Sequence, residues 1–132
     1  MAVYRHLGSI IAVYVLLLLT PVSLLSAAAA DQVQITDLLT SPERHAFRPV
    51  RVEATVSSLR TESFINQTLR KPVCHHFFTL EDGTGALEAR YLTLCPLGTP
   101  LVRNGDRVII EASFERAPGT QGYLNVQTVR KP

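Results

Sequence analysis

Cysteine is scarce in this sequence, and the spacing of the two cysteines excludes one common redox motif. The 132 residues contain Cys74 and Cys95 and no Cys-x-x-Cys pair. A thioredoxin-like dithiol needs that pair, so we exclude it. Internal repeats and low-complexity tracts are missing as well, and a chain of this length allows one domain.

Groups of residues that could perform catalysis are also missing. The acids on the predicted strands have no histidine clearly paired with them; they are Glu53, Glu81, Glu88 and Glu111. The serines lack a recognisable base and a nucleophile elbow; they are Ser57, Ser58 and Ser63. We therefore expect a protein that is not an enzyme.

The longest apolar run is too short to span a bilayer, but residues 1–30 have the three regions of a secretory signal peptide. Arg5 precedes an unbroken apolar run that begins at Ile10, and small residues follow up to Ala30. A bilayer span needs roughly 20 such residues, so we expect no permanent membrane anchor. No cysteine lies near the cleavage point, which excludes a lipid attached there. We expect cleavage near Ala30 and a periplasmic or secreted domain over residues 31–132.

An excess of charge of one sign is absent from the mature domain. Residues 31–132 contain 12 basic and 11 acidic side chains, which gives a net charge of +1. A phosphate-binding surface needs clustered cations rather than many of them. The total charge therefore indicates no nucleic-acid partner, and any basic patch has to be local.

Five short segments have the alternation or composition of β-strands. They are residues 49–59, 74–81, 86–92, 107–114 and 123–129. A short helix is predicted before them, over residues 35–43. The stretch "TESFINQTLRKP", residues 61–72, is polar and unpatterned, and it predicts a loop.

This order of elements resembles the OB-fold modules of the tRNA-anticodon-binding and single-strand-binding kind, and particularly small exported bacterial OB domains. The resemblance rests on "VRVEATV", "FFTLEDGTGALEARY", "GDRVIIEASF" and "YLNVQTV", and it covers essentially all of residues 31–132. It implies an all-β fold, a five-stranded Greek-key barrel preceded by a short helix.

The segment Asp82-Gly83-Thr84-Gly85 predicts a tight hairpin turn rather than a phosphate-binding loop. Glycine supplies the positive backbone angles that such a turn needs, and an aspartate can bond its own turn. A P-loop would need GxxxxGK[ST] before a helix, and the lysine and the helix are missing. With Gly83 and Thr84 at the centre, the predicted facing pairs are Leu80 with Leu87, Phe78 with Ala89, Phe77 with Arg90, and His76 with Tyr91.

The same register brings the two cysteines near each other. Cys74 is opposite Thr93, and Cys95 lies two residues further along the same face. A bulge or a small slip in register would bring the pair within bonding distance. In an exported protein we expect a disulfide, which stabilises the fold by on the order of 3 kcal/mol.

A metal site competes for these residues, because zinc accepts two cysteines and two histidines. The candidates are Cys74, His75, His76 and Cys95. Adjacent strand residues point to opposite faces, so one histidine at most can join the cysteines, and we expect no metal. The periplasmic haem chaperone of cytochrome c maturation is also a small OB barrel, but its C-terminal His-x-x-x-Tyr motif does not occur here. We expect no cofactor.

The candidate ligand site is the outward face of the hairpin together with the loops beside it. The resemblance implies binding there, between the loops that join strands one to two and four to five. The candidates on strands are Arg51, His75, Phe77 and Arg90, those in the first loop are Arg60, Phe64, Arg70 and Lys71, and those at the last loop are Arg116 and Tyr123.

Two functions remain open from the sequence alone. The first is a binding module of the cell envelope, whose partner is a protein, a glycan or a small ligand. The second is binding of single-stranded nucleic acid outside the cytoplasm, since aromatic rings flanked by arginines hold single strands. Glu53 and Glu88 lie in the middle of the same face, so an ordinary solvated sheet surface is the alternative to any site. The envelope module is the main expectation.

Overall fold

Six strands and two short helices make up the computed structural model, which describes residues 29–95 and 102–132. The strands are β1 (Asp31–Gln32), β2 (Pro49–Asn66), β3 (Lys71–Glu81), β4 (Ala86–Leu94), β5 (Arg107–Glu115) and β6 (Tyr123–Arg130). The helices are α1 (Ile35–Thr40) and α2 (Pro42–His45). Apart from its last two residues, the predicted signal peptide lies outside the described residues.

The strands form one sheet in the order β1-β2-β3-β4-β6-β5, and β5 also pairs with β2. The long strand β2 makes this possible, because its first half pairs with β5 and its second half with β3. β4 and β6 pair in parallel, and β1 adds a two-residue parallel pairing to β2. Following the paired strands from β2 through β3, β4, β6 and β5 therefore leads back to β2.

The core follows from the alternation in β2 and β5. Val50, Val52, Ala54 and Val56 are buried on one face of β2. They lie beside the buried apolar residues of β5, which alternate in the same way as Val108, Ile110, Ala112 and Phe114. Burial of these apolar side chains favours folding, and they form one core with the buried residues of the other strands and of α1.

The predicted hairpin register is confirmed. β3 and β4 pair as Leu80 with Leu87, Phe78 with Ala89 and Phe77 with Arg90, and no bulge interrupts the pairing. Phe78 is 2% exposed. Its neighbour Phe77 lies on the opposite face and stays partly exposed.

The turn between β3 and β4 also holds the first helix. Asp82 accepts hydrogen bonds from the N–H groups of Thr84 (2.9 Å) and Gly85 (3.2 Å) with one oxygen, and from Ile35 N–H (2.8 Å) with the other. The Thr84 hydroxyl accepts the N–H of Thr36 at 3.1 Å. A helix leaves its first N–H groups without intrahelical partners, and this turn supplies partners for two of them.

The prediction of a loop over residues 61–72 is wrong. Residues 60–66 pair with residues 71–77, and only residues 67–70 form a turn. A bulge precedes this part of β2: Ser58 has φ 52°, and the register shifts between Ser57 and Arg60. We call the segment of residues 60–77 the hairpin extension.

Two smaller corrections concern the start of the domain. The predicted five strands become six, because Asp31 and Gln32 pair with Val50 and Arg51. The predicted single helix over residues 35–43 is two helices, since the proline ring of Pro42 cannot continue α1 and instead begins α2.

The predicted disulfide is confirmed in the structure. Cys74 and Cys95 are bonded, with their Cα atoms 4.8 Å apart. The bulge that the sequence suggested is not needed, because Cys95 N–H donates to Pro72 C=O at 3.1 Å and so continues the regular pairing.

Within residues 29–95 and 102–132, none of the helices is both long and apolar enough to cross a membrane. The same residues contain no group of three or more histidine, cysteine, aspartate or glutamate side chains placed to hold a metal ion.

Candidate functional site

A row of side chains crosses four strands on the outward face of the sheet. The register places Arg60 on β2 opposite Phe77 on β3, Phe77 opposite Arg90 on β4, and Arg90 beside Asn125 on β6. The bulge at Ser58 sets this alignment, because it turns Arg60 to the face that Phe77 occupies.

Guanidinium groups and aromatic rings alternate in this row. The Arg60 Cζ atom lies 4.6 Å from the centre of the Phe77 ring, and the Arg90 Cζ atom lies 5.9 Å from the same centre. Arg90 also lies over Tyr123, with its Cζ atom 3.8 Å from the ring centre. The His75 and Phe77 ring centres are 4.2 Å apart. We call these five residues the platform.

Stacking leaves the platform arginines available to a ligand. A guanidinium group donates its hydrogen bonds in its own plane, so a group stacked on a ring can still reach an anion at the ring edge. Among the described residues, Arg90 Nε is buried without a hydrogen-bond partner. Hydrogen bonds therefore do little to hold Arg90 in its present position.

Carboxylates accompany both platform arginines. Arg60 Nε lies 3.6 Å from Glu62, and Arg90 Nη2 lies 3.4 Å from Glu88. Both pairs are solvent-exposed at long distances, and exposed pairs of this kind contribute about 0–1 kcal/mol each. The platform thus has mixed charge, with ion pairs weak enough for a stronger ligand contact to replace them.

Tyr123 is fixed at the edge of the platform by Glu115 and Gly122. The Tyr123 hydroxyl donates to Glu115, which also accepts from Asn125 Nδ2 at 3.0 Å. The hydrogen bond from Tyr123, followed by that from Asn125, lowers the pKa of Glu115, and the same bond raises the pKa of Tyr123. Glu115 therefore stays ionised and Tyr123 neutral around neutral pH.

Gly122 has the backbone conformation that allows β6 to begin at Tyr123. Its φ is +88°, and a Cβ atom there would lie 2.8 Å from the Glu115 carbonyl oxygen and 3.0 Å from the Phe114 ring. Any other residue would have both a strained backbone at this φ and a Cβ atom too close to these neighbours, so only glycine fits.

Two open hollows flank the platform. The first has a volume of about 230 Å³ and is lined by Ser58, Arg60, Phe77, Phe78, Thr79 and Glu88. The second has a volume of about 340 Å³ and is lined by Glu88, Arg90, Ala117, Thr120, Gln121, Gly122 and Tyr123. Each contains one platform aromatic residue and one platform arginine, and they meet at Glu88.

Two predicted site residues lie elsewhere. Arg51 is in the half of β2 that pairs with β5, where it donates to Glu111 with Nε (3.2 Å) and Nη2 (2.6 Å). Arg116 donates to Glu43 at 3.1 Å and to Thr120 C=O at 3.0 Å. Both guanidinium groups are bonded to these partners, and neither stacks on a ring of the platform.

The other predicted loop residues belong to the hairpin extension. Phe64 is 49% exposed on β2, opposite Val73. Arg70 has φ 52° and closes the turn at the tip, and Lys71 begins β3. Neither cation forms an ion pair with any residue of the described ranges. The tip therefore supplies two cations about 20 Å along β3 from Phe77, at about 3.3 Å per residue.

His76 lies on the other face of β3. Its Nδ1 is 2.9 Å from the Thr61 hydroxyl, and its Nε2 is 3.0 Å from the Thr93 hydroxyl. Burial, followed by the charge of His75, lowers the pKa of His76. Both ring nitrogens are occupied, so His76 is a structural residue beneath the platform.

Sequence reasoning missed Glu115 and Asn125. Glu115 accepts the hydrogen bond of Tyr123, and Asn125 donates to Glu115. These residues come together only through the pairing of β5 with β6. The alternation in "YLNVQTV" places Tyr123 and Asn125 on one face. That alternation could have included Asn125 among the candidates.

Comparison with solved structures identifies the fold. The described chain is similar to the second OB-fold domain of replication protein A from Methanococcus maripaludis, solved by NMR. The TM-score is 0.56 at 14% sequence identity, and the match covers 76% of this chain and 94% of that chain. No family model matches the chain, and no curated protein matches its sequence. The chain therefore has an OB-fold, as the sequence resemblance implied.

Proposed function

We propose that this chain binds single-stranded nucleic acid on the platform. The observation that carries the proposal is the alternation of Arg60, Phe77, Arg90 and Tyr123 across the sheet. Single strands are held by bases stacked on aromatic rings and by cations that contact the phosphates, and this row offers both groups at neighbouring positions.

The position of the platform within the fold supports the proposal. OB-folds bind oligonucleotides and oligosaccharides on the face of their second and third strands, between the loops that flank it. Here those strands are β3 and β4, which contribute Phe77 and Arg90. The structural neighbour is a domain of replication protein A, whose OB-folds are among the proteins that bind single strands in this way.

The proposed activity is binding without catalysis, in an extracytoplasmic compartment. The signal pattern in residues 1–30 supports export. The Cys74–Cys95 disulfide supports an oxidising compartment. A single-strand-binding protein in that setting would act on nucleic acid entering or leaving the cell.

The charges on the site predict a weak dependence on salt. Arg70 and Lys71 have no ion-pair partner among the described residues, and Arg60 and Arg90 have weak ones. Two to four phosphate contacts give a slope of log K against log salt of about −1.4 to about −2.8, at about −0.7 per contact.

The carboxylates favour a second candidate, a neutral glycan of the cell envelope. Glu62, Glu88 and Glu115 accompany only two platform arginines. Carboxylates accept hydrogen bonds from sugar hydroxyls but repel phosphates, and OB-folds also bind oligosaccharides. Binding of a neutral glycan would release no counterions and would show no such slope.

The test is a fluorescence anisotropy titration of residues 31–132 with a labelled oligothymidine of about 12 nucleotides. We expect binding with the slope given above, measured between about 50 mM and about 200 mM salt. Phe77→Ala should weaken binding by about 1–3 kcal/mol. The matched control is Ile65→Ala, since Ile65 is 67% exposed and on the opposite face of the hairpin extension.

Two results would contradict the proposal. Absence of oligonucleotide binding at low salt would leave the glycan as the candidate. Equal losses in Phe77→Ala and Ile65→Ala would place binding away from the platform.

A further inference from the structure

Phe47 has an exposed ring on a strained backbone. It lies between α2 and β2, its side chain is 72% exposed, and its φ is 57°. A bulky residue rarely adopts this left-handed conformation, and such positions concentrate at binding sites. Core packing does not account for the ring, because Phe47 is not among the buried residues.

The backbone of Phe47 is held from both sides. Phe47 N–H donates to Phe114 C=O at 2.7 Å, and Phe114 N–H donates to Arg48 C=O at 3.4 Å. Arg48 N–H donates to His45 C=O at 3.1 Å, and Ala46 forms a bridge with Phe114. These bonds fix the backbone of Phe47 beside β5, while its ring stays exposed.

A third hollow joins Phe47 to the platform. It has a volume of about 350 Å³ and is lined by Phe47, Glu115, Arg116, Ala117 and Tyr123. It shares Ala117 and Tyr123 with the second hollow, which shares Glu88 with the first. Three hollows therefore follow one another across the surface. The first contains Phe77, the second contains Tyr123, and the third contains both Tyr123 and Phe47.

We propose that Phe47 is a third stacking residue, so that the bound single strand continues past Tyr123 to the α2–β2 connection. This inference rests on the proposed function and extends its site beyond β3 and β4. Arg116 lines the third hollow and is held there by Glu43 and Thr120. The ligand is then a strand of at least three consecutive bases, with one base at each aromatic residue.

The experiment compares oligothymidines of about two to eight nucleotides with three forms of residues 31–132. The forms are wild type, Phe47→Asn and the matched control Ile65→Asn. Asparagine tolerates the left-handed conformation, so Phe47→Asn should keep its melting temperature. Phe47→Gly also removes the ring, and glycine adopts this backbone conformation without strain.

We expect wild-type affinity to rise with length until the third aromatic position is filled. Phe47→Asn and Phe47→Gly should remove the last increase in affinity with length. The longer oligonucleotides should then bind about 5- to 150-fold more weakly, and the affinity for the shortest should not change. Ile65→Asn should follow wild type throughout. If wild type binds and the Phe47 variants match it at each length, the extension is wrong while the platform stands. If wild type binds no oligonucleotide, both proposals fall.

Discussion

The two faces of the β3–β4 hairpin use nearly the same residue types for different purposes. Phe78 faces Ala89 and is 2% exposed, while Phe77 faces Arg90 and stays partly exposed. The small alanine leaves room for a ring in the core, and the arginine offers a charge for a ring to stack on. The identity of the cross-strand partner therefore tells which of two adjacent phenylalanines builds the core.

The adjacent histidines repeat this difference. His76, on the inner face, has both ring nitrogens bonded to threonine hydroxyls. His75, on the outer face, lies against the Phe77 ring. The inner face satisfies its polar groups within the protein, whereas the outer face leaves donors that a ligand can use.

The largest expected effect separates the two phenylalanines by stability. Phe78→Ala should lower the free energy of unfolding by about 3–5 kcal/mol, because it empties an aromatic core position. Phe77→Ala should cost about 1 kcal/mol or less, since its ring is outside the core. Urea unfolding of both variants measures the difference. A greater loss in Phe77→Ala would falsify the assignment of the two faces.

The next effect concerns the disulfide on the inner face. Cys95→Ala should lower stability by about 3 kcal/mol, because the bond closes a loop between residues 21 apart in sequence. Thermal unfolding with and without reductant measures it. Reductant should lower the wild-type melting temperature and leave that of Cys95→Ala unchanged. Two thiols that react freely in the native protein purified without reductant would contradict the bond.

The smallest effect is a pH dependence from His76. Burial, followed by the charge of His75, lowers its pKa below the ordinary value of 6.5. The unfolded chain then binds the proton more readily, so stability is complete above about pH 6.5 and falls as the pH drops through the folded pKa. Chemical unfolding from pH 8 to pH 5 should show this decline in wild type and a smaller one in His76→Asn. An equal decline in both would assign it to other groups.

The hairpin could be predicted because two local signals agree there. Alternation has a period of two, and the Asp82–Gly85 turn sets which residues face each other, so the pairing of Phe78 with Ala89 and the position of Cys74 followed. Alternation also predicted a strand over residues 49–59, and its apolar residues Val50, Val52, Ala54 and Val56 are buried in the structure.

Other parts of the structure could not be predicted, because no local sequence pattern indicates them. The hairpin extension has polar residues on both faces, and the bulge at Ser58 shifts the alternation, so β2 could not be followed past that residue. The pairing of Arg51 with β5 could not be predicted, because its partner Glu111 is 60 residues away in sequence. The left-handed backbone of Phe47 could not be predicted, because nothing in the sequence marks a phenylalanine in that conformation.

The hydrogen bonds of the Asp82–Gly85 turn decide where foreign sequence can be inserted. A short exposed hairpin turn is normally a permissive site for a tag or a new terminus. Here Asp82 and Thr84 also hold the N–H groups of Ile35 and Thr36, 47 and 48 residues away, so an insertion at Gly83 would release α1 as well. Among the described residues, the tip at residues 67–70 has only local bonds, from the N–H groups of Thr68, Leu69 and Arg70 to Asn66. A fluorophore or a circular permutation is therefore better placed at that tip, which leaves the helix in contact with the sheet.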